Sequence, residues 1–394
     1  MNKQFKGKGM KLLYILGSYF PAQSGGPNNT IHWQAKYLSK NGFDVTVASL
    51  KSGLQQNNID EYNIKLNKKN NVEGVKAYYF DFLKNRYLSF KFYVWMIKNI
   101  HKFDFVQLTS YFFPISWFAA FLCYIHNVPF SLAPRGELED NAMKYSSKIK
   151  KIIHKTLLTF LYKQAKFILV TSPQELEFSK KYFHEKMNYE LIPNYIDLSK
   201  CKILSDDCIN SKKNILYLGR IHPKKGIENL IEAYKKLDEN ITSKHSLLIA
   251  GSGDMEYEGS LKLLAHKDAK YKNKILFLGH KQGIEKESLY KQCKVFVLPS
   301  YSENFGNVVL ESLSFSTPVI SSIYTPWEAL EEAECGFWID NKSADIANKL
   351  DLVLNFNESE YLNFSINSYN FVNHKYDISR NIEELQNTYM RYKK

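Results

Sequence analysis

The chain has 394 residues, 44% of them hydrophobic and 15% aromatic, so it is long enough for two domains with sizeable cores. Its five cysteines are odd in number and form no C-x-x-C pair, which argues against a disulfide framework and a structural zinc site. Residues 1–200 hold 28 Lys and Arg against 14 Asp and Glu, a balance of +14, whereas residues 201–394 hold 25 against 26, a balance of −1. This asymmetry predicts an anionic partner for the first half, either a membrane surface or a nucleic acid, unless it reflects only a lysine-rich proteome.

The apolar segments near the N-terminus predict strands and buried helices rather than a membrane span. The run Leu12–Leu16 is too short for the core of a signal peptide. The longest apolar region, residues 111–125, contains Pro114 and falls short of the roughly 20 residues that span a bilayer. We therefore expect no transmembrane helix and a cytoplasmic location.

The first half alternates strand and helix signals. A helix capped by Asn28 or Asn29 is predicted to run to about Lys40, and a helix at about 113–125, apolar almost all round, is predicted to be buried between the sheet and the surface. Residues 144–166 are predicted to form a basic amphipathic helix, and either its apolar face packs on the sheet or its basic face lies on anionic lipid. The polar segment 199–213 is the candidate linker. Strands are predicted at 11–17, 45–48, 75–80, 105–108, 129–134 and 167–172.

The second half repeats this strand–loop–helix order. Its central stretch, residues 295–313, reads as a buried strand, a polar turn with Gly306 and the start of a helix. Helices are also predicted at 227–237 and at 378–392. The other strands are predicted at 215–219, 247–250, 275–279 and 318–322.

Four consecutive strands of the second half end in loops suited to one ligand, because ligands of open parallel sheets bind outside the carboxyl ends of the strands. The first loop offers the cations Arg220 and Lys225, which suit a diphosphate. Glu303 and Glu311 bracket the turn of the 295–313 stretch, and carboxylates there suit sugar hydroxyls. The combination predicts a nucleotide sugar, although each group taken alone could be a solvated loop or surface residue.

The order of these motifs resembles the retaining glycosyltransferases of family 4, which have the GT-B fold. The resemblance is strong over residues 215–325, from Gly219-Arg220 to Glu303 and Glu311. It is weaker in the first half, where Gly25-Gly26 and Pro134-Arg135-Gly136 are similar to the family. Pro326-Trp327-Glu328 resembles a subset of bacterial polysaccharide members.

The family resemblance implies an α/β fold of two Rossmann-like parallel-sheet domains that face each other across a cleft. Residues 1–198 would form the acceptor-side domain and 199–375 the donor-binding domain. Residues 376–394 would form a helix that crosses back to the first domain.

The resemblance also implies roles for individual residues. Arg220 and Lys225 would bind the donor diphosphate and stabilise the leaving charge, and Glu303 would face the transferred sugar. Glu311 would accept hydrogen bonds from the ribose. Because the two cations take the place of a metal ion, no metal or other cofactor is implied. The remaining donor-binding or cleft residues would be Gly25, Gly26, Gly251, Gly253, His280, Lys281, Asn304, Phe305, Gly306 and Asn307.

The first half departs from the family at one catalytic position. Many members carry a histidine there, but the matching region, 107–111, contains none. Arg135 and Tyr111 are the candidates for the acceptor side. We expect a nucleotide sugar and a lipid-linked glycan acceptor as partners, with peripheral contact of the basic half with the inner face of an anionic membrane.

Two other functions are consistent with parts of the sequence. A non-hydrolysing UDP-sugar epimerase has the same fold, but it needs acid and base residues from the first domain that are not evident. A nucleic-acid-binding protein could use the basic half, but no reading motif supports this interpretation, and we expect no nucleic acid as a partner.

Overall fold

The structure is a computed structural model that describes residues 9–22, 26–83, 89–139, 159–183, 187–199, 201 and 203–393. The chain divides into two compact units. Unit 1 comprises residues 1–195 and 378–394, and unit 2 comprises residues 196–377. Most of the predicted basic helix at 144–166 lies outside the described residues, as does Gly25.

Unit 1 contains one sheet, and helices connect many of its strands along the chain. Its strands are β1 (Lys11–Leu16), β2 (Asp44–Leu50), β3 (Lys69–Val72), β4 (Val75–Phe80), β5 (Phe105–Thr109), β6 (Phe130–Ala133), β7 (Phe167–Val170) and β8 (Tyr189–Leu191). Its helices before unit 2 are α1 (Gly26–Lys40), α2 (Gln56–Glu61), α3 (Phe90–Asn99), α4 (Pro114–Ile125), α5 (Thr159–Tyr162) and α6 (Pro173–Tyr182).

The order of the unit 1 sheet is β3-β4-β2-β1-β5-β6-β7-β8. All of its pairs are parallel except β3 with β4, which form an antiparallel hairpin at the edge. β1 lies near the middle and is buried almost throughout, which explains its continuous apolar run. The carboxyl ends of β1, β5 and β6 therefore lie side by side at one edge of the sheet.

Two local predictions for unit 1 were wrong. The helix α1 begins at Gly26, so Asn28 is not its cap; the Asn28 Nδ2 instead donates to the Ala22 carbonyl oxygen at 2.8 Å. The helix α4 is only partly buried, because Phe121 and Tyr124 are 45% and 47% exposed. Its buried residues fall on the face that packs against β1 and β5.

Unit 2 contains a second sheet. Its strands are β9 (Asn214–Leu218), β10 (Leu247–Ala250), β11 (Ile275–Gly279), β12 (Cys293–Leu298), β13 (Val319–Ser322) and β14 (Gly336–Ile339). Its helices are α7 (Asp206–Asn210), α8 (Ile227–Lys235), α9 (Glu239–Thr242), α10 (Met255–His266), α11 (Gly283–Gln292), α12 (Asn307–Ser314), α13 (Ala329–Glu332), α14 (Ser343–Leu354) and α15 (Glu358–Lys375). Short 3-10 turns occur at Ile100–Lys102 in unit 1 and at Pro223–Lys225 and Ala269–Tyr271 in unit 2.

The order of the unit 2 sheet is β11-β10-β9-β12-β13-β14, and every pair is parallel. The runs 215–218, 247–250 and 295–298 are buried throughout, as central parallel strands covered on both faces require. The predicted α/β class with two parallel sheets is thus confirmed.

The last helix, α16 (Ile378–Tyr392), belongs to unit 1 although it follows unit 2 in the chain. Ile378, Ile382, Leu385 and Tyr389 recur at helical spacing and are all buried in the core that contains β1 and β2. The Tyr389 hydroxyl also lies 3.1 Å from the Tyr14 hydroxyl. The helix therefore supplies part of the core of the first unit.

None of the helices within the described ranges combines the length and apolar character that crossing a bilayer would require.

A buried lysine, Lys212, links several elements of unit 2 through hydrogen bonds. Its Nζ donates to the carbonyl oxygens of Phe315 (2.7 Å), Ser316 (3.2 Å) and Tyr290 (3.3 Å), and to the Thr317 hydroxyl. These carbonyls lie at the carboxyl ends of α11 and α12, where a cation is favoured by the helix dipoles. The segment predicted as a linker, 199–213, thus contains α7 and also Lys212, which links the carboxyl ends of two helices.

Replacing Lys212 by methionine should lower the free energy of unfolding by about 2 kcal/mol or more at pH 7, because several buried carbonyls lose their donor. Burial lowers the pKa of Lys212 from 10.5 to about 8. Between these values the unfolded chain binds more protons than the folded chain, so this lysine adds stability as the pH rises. Denaturant titrations of both proteins at pH 7.5 and 10 should show a larger difference at pH 10. An equal or smaller difference would contradict this assignment.

Candidate functional site

The four strand ends singled out in the sequence are neighbours in the unit 2 sheet. The order β11-β10-β9-β12 places the loops that follow these strands side by side at the carboxyl edge. The register supports this, since Leu218 of β9 pairs with Ala250 of β10, and Phe296 of β12 pairs with Leu216 of β9. The loops carrying Arg220, Lys225 and Glu303 therefore emerge close together.

A glycine allows the loops after β9 and β12 to touch. Gly226 has a φ of 61°, and a Cβ built on it would lie 2.3 Å from the Pro299 carbonyl oxygen. The same two loops are joined by a hydrogen bond from the Tyr301 N–H to the Lys224 carbonyl oxygen at 2.8 Å. Only glycine fits at this left-handed, crowded position. The contact fixes the backbone around Lys224 and Lys225 against the end of β12.

Gly251 and Gly253 allow a second close approach, between the loops after β10 and β9. A Cβ on Gly251 would lie 1.8 Å from the Gly219 carbonyl oxygen, and one on Gly253 would lie 1.9 Å from that of Ile221. The Ile221 N–H donates to the Ser252 carbonyl oxygen at 3.0 Å. The backbone that these two glycines approach is thus the loop of Arg220 itself.

Lys225 and Glu303 form an ion pair at the contact of the two loops. The Lys225 Nζ donates to Glu303 Oε1, and the two side chains are only 14% and 16% exposed. The loops after β9 and β12 thus bring a cation and a carboxylate, 78 residues apart in the sequence, into one half-buried site. In this state the lysine is engaged by the carboxylate.

The loop after β9 is strongly electropositive. Arg220 is exposed, and the Tyr217 hydroxyl holds its carbonyl oxygen at 2.8 Å. The pKa of His222 lies below its usual value because of partial burial and then because Arg220, Lys224 and Lys225 lie nearby. A neutral His222 accepts at Nδ1 from the Lys224 N–H at 3.1 Å. The exposed edge of this loop is therefore suited to anionic groups.

Glu311 lies in the second turn of α12 and is held by two residues that the sequence analysis did not single out. The Lys286 Nζ lies 2.7 Å from Oε1 and 2.6 Å from Oε2, and the Tyr290 hydroxyl donates to Oε2 at 2.9 Å. Lys286 and Tyr290 are spaced by four residues on α11, so they share a face of that helix. This spacing was visible in the sequence, but only the packing shows that the face meets Glu311.

Trp327 positions the turn between Glu303 and α12. It is buried, its Nε1 donates to the Phe305 carbonyl oxygen at 2.5 Å, and its ring meets the Phe305 ring edge-on at 5.2 Å. Gly306, with a φ of 80°, leaves room for this indole, because a Cβ there would lie 3.3 Å from Nε1. Asn304 and Asn307 flank these residues on the turn. The Val309 N–H, in the first turn of α12, donates to the Gly306 carbonyl oxygen at 2.9 Å.

His280 and Lys281, after β11, are more peripheral. His280 is exposed. The Lys281 Nζ lies 2.8 Å from Glu285 Oε1, one turn along the start of α11. Lys281 therefore pairs with the helix that follows it and not with Lys225 or Glu303.

In unit 1, Arg135 occupies a strained turn after β6. It has a φ of 55°, and its Nη1 donates to Asn194 Oδ1 at 2.7 Å. Glu137, two residues later, accepts hydrogen bonds from the N–H groups of Tyr111 (2.6 Å) and Phe112 (2.8 Å). Burial lowers the pKa of the Arg135 guanidinium.

Tyr111 itself is a core residue of unit 1. Its ring is fully buried and packs at 4.9 Å from the ring of Tyr162, whose hydroxyl donates to the Tyr111 carbonyl oxygen at 3.0 Å. Of the two predicted first-half glycines, Gly26 starts α1, and Gly25 lies outside the described residues. Among the described residues of the chain, no three His, Cys, Asp or Glu side chains gather as they would around a metal ion.

Two family models match the chain, one in each half. Residues 24–200 match the model for glycosyltransferase family 4, and residues 207–371 match the model for glycosyl transferases group 1. The boundary between the two matches, 200–207, lies near the boundary between the first part of unit 1 and unit 2.

Individual relatives carry glycosyltransferase names. An uncharacterized glycosyltransferase of Methanocaldococcus jannaschii is 40% identical over 37% of this chain and 36% of its own length. The UDP-Gal:alpha-D-GlcNAc-diphosphoundecaprenol alpha-1,3-galactosyltransferase of Escherichia coli is 26% identical over 62% of this chain and 65% of its own. The chain thus matches about a third to two thirds of the length of these two relatives.

A solved structure extends the comparison to the whole fold. HepE of Anabaena, solved in complex with UDP and glucose, has a TM-score of 0.75 and 16% identity over 97% of this chain and 100% of its own. At this identity the likeness concerns the fold, and it confirms the GT-B class. The two family models and the named relatives confirm that the protein is a transferase. The chain belongs to the glycosyltransferases of the GT-B fold.

Proposed function

We propose that this glycosyltransferase moves a sugar from a nucleotide diphosphate sugar to a lipid-linked glycan acceptor, with retention of the anomeric configuration. The reaction would serve the synthesis of a cell-surface polysaccharide, at the cytoplasmic face of the membrane. NMR of the anomeric proton in the product, compared with that of the donor, tests the retention.

The observation that carries the proposal is the Lys225–Glu303 pair at the carboxyl edge of the unit 2 sheet, whose lysine lies on the same loop as the exposed Arg220. A diphosphate offers Lys225 a stronger partner than one carboxylate, because it carries more charge and more acceptor oxygens. Once the lysine binds the diphosphate, Glu303 is released to accept hydrogen bonds from the hydroxyls of the transferred sugar. Arg220 and Lys225 then stabilise the charge that develops on the leaving diphosphate.

The names of relatives support the donor and the acceptor classes. The Escherichia coli relative uses UDP-galactose and a diphosphoundecaprenol acceptor by its name, and a relative from Staphylococcus aureus is named for capsular polysaccharide biosynthesis. HepE was solved with UDP. These properties belong to those proteins, and we extend the classes, but no particular sugar, to this chain.

The surface of unit 1 supports contact with an anionic membrane. Phe121 and Tyr124 of α4 and Phe160 of α5 are exposed, and the rings of Tyr124 and Phe160 meet at 5.7 Å. The sequence from 141 to 174 contains seven lysines and no Asp or Glu, and Lys163 and Lys166, which follow α5, are exposed. Exposed aromatic rings beside lysines suit the interface of a bilayer with anionic headgroups.

Replacing Lys225 by alanine should lower kcat/KM for the donor by about 100-fold or more, because a preorganised cation at the leaving group is lost. Glu311→Ala should raise the KM for the donor by about 10-fold or more, as expected for a lost charged hydrogen bond. Initial rates over a panel of nucleotide sugars measure both effects. Lys262→Ala and Glu258→Ala, which remove the 2.8 Å ion pair of α10, are matched controls and should retain activity. Undiminished transfer by the Lys225 and Glu311 variants would contradict the assigned donor site.

Chelation should leave the transfer rate unchanged, since in this proposal Arg220 and Lys225 supply the positive charge that a metal ion gives other enzymes. The measurement is the initial rate after dialysis against EDTA, with and without added Mg²⁺ or Mn²⁺. A rate that collapses on chelation and returns with the metal would contradict this part of the proposal.

Liposome flotation should detect binding to vesicles that contain anionic lipid, and binding should weaken as salt rises because headgroup attraction is screened. The double change Phe121→Ser and Phe160→Ser should reduce the floated fraction, since apolar area is lost from the contact. Leu263→Ser, at a 78% exposed residue of unit 2, is the control and should float like the wild type. Binding that ignores anionic lipid, salt and the double change would refute the membrane contact.

A further inference from the structure

We infer that Lys286 and Tyr290 are positioning residues that aim Glu311 at one hydroxyl of the donor ribose, and that together they select nucleotides with an intact ribose. The inference rests on the proposed function, because it takes Glu311 as the residue that meets the ribose. It adds two residues of α11 to the donor site. It also explains how the site distinguishes a nucleotide with a complete ribose from one with a deoxyribose.

The hydrogen bonds to Glu311 fix both of its oxygens. The Lys286 Nζ contacts Oε1 at 2.7 Å and Oε2 at 2.6 Å, and the Tyr290 hydroxyl donates to Oε2 at 2.9 Å. A carboxylate held at both oxygens from one neighbouring helix has a single orientation. Glu311 is also only 14% exposed, so few other rotamers are open to it.

Tyr290 is a rigid donor. It is buried, and its ring stacks on the Phe315 ring at 5.9 Å with an angle of 11°. Its carbonyl oxygen accepts from the Thr317 hydroxyl at 2.9 Å. Burial raises the pKa of the Tyr290 phenol well above its usual value, so the hydroxyl keeps its proton and can only donate to the carboxylate.

A count of acceptor positions shows what remains for a ligand. A carboxylate offers about four lone-pair positions. The Lys286 hydrogen bond uses one position on Oε1 and the Tyr290 hydroxyl uses one on Oε2, while the Lys286 Nζ also lies 2.6 Å from Oε2, so at least one position on Oε1 remains for a ligand. The position that remains on this carboxylate can accept a hydrogen bond from a ligand hydroxyl. A nucleotide that lacks the matching ribose hydroxyl would leave this acceptor without a donor, which is costly in a half-buried site.

The test is nucleotide binding measured by calorimetry. UDP, GDP and ADP are compared first, and the tightest binder is then compared with its 2′-deoxy and 3′-deoxy forms. The wild type should bind one deoxy form about tenfold or more weakly than the ribonucleotide, as the loss of a charged hydrogen bond predicts. In Lys286→Met and in Tyr290→Phe, affinity for the ribonucleotide should fall while affinity for that deoxy form stays near the wild-type value. The discrimination should therefore shrink, and Lys286→Arg should restore part of it.

Two controls separate this inference from the proposed function and from a loss of structure. Lys291→Met alters an exposed lysine of the same helix, paired with Glu287 at 3.8 Å, and should leave the discrimination unchanged. Tyr290→Phe keeps the stacked ring, so its melting temperature should stay near that of the wild type, and it provides the test if Lys286→Met does not fold. If Glu311→Ala weakens nucleotide binding while Lys286→Met or Tyr290→Phe keeps the full discrimination, the inference is overturned and the donor site stands. If Glu311→Ala binds nucleotide like the wild type, the donor site itself is wrong.

Discussion

The site depends on how closely three loops of unit 2 approach one another at the edge of the sheet. Gly226 lies against the Pro299 carbonyl oxygen, and Gly251 and Gly253 lie against the carbonyl oxygens of Gly219 and Ile221. No larger residue fits at these distances, so the glycines determine where the loop between β9 and α8 runs. The meeting of Lys225 with Glu303 follows from that path. The glycines themselves allow the protein loops to touch. The charged side chains that this contact brings together, Lys225 and Glu303, are the groups that a ligand would contact.

The fold was largely predictable from the sequence because its strands are continuous apolar runs that end in Gly or polar residues. The runs at 215–218, 247–250 and 295–298 were identified on this basis, and the last helix was predicted with the bounds 378–392 that the structure has. The antiparallel edge strand β3 was missed because its residues, Lys69–Val72, include two asparagines and a lysine. The exposed face of α4 was missed because apolar composition does not tell a core helix from one with an unpartnered face.

The site was predictable as a set of strand ends but not as a set of contacts. Parallel topology brings Arg220, Lys225, Glu303 and Glu311 to one edge, which a sequence can indicate. Which side chains contact each other depends on how each helix is rotated about its axis and on the distances between elements. Neither can be read from the spacing of residues in the sequence. For this reason the sequence did not indicate that Trp327 holds Phe305 or that α11 holds Glu311. The same holds for Lys212, which looks like a polar residue of a linker. It stabilises unit 2 by donating to carbonyl oxygens that lie about 80 to 100 residues later in the chain.

The position of α16 in the chain has a consequence for biosynthesis. The helix contributes Ile382, Leu385 and Tyr389 to the core of unit 1, yet it is translated after the whole of unit 2. While the ribosome makes residues 196–377, the face of the first sheet that this helix covers is therefore still open. Unit 2 is contiguous, so its folding needs no later segment, whereas unit 1 is complete only after α16 has been made. The apolar residues of β1 and β2 that α16 covers are therefore exposed to other chains until synthesis ends.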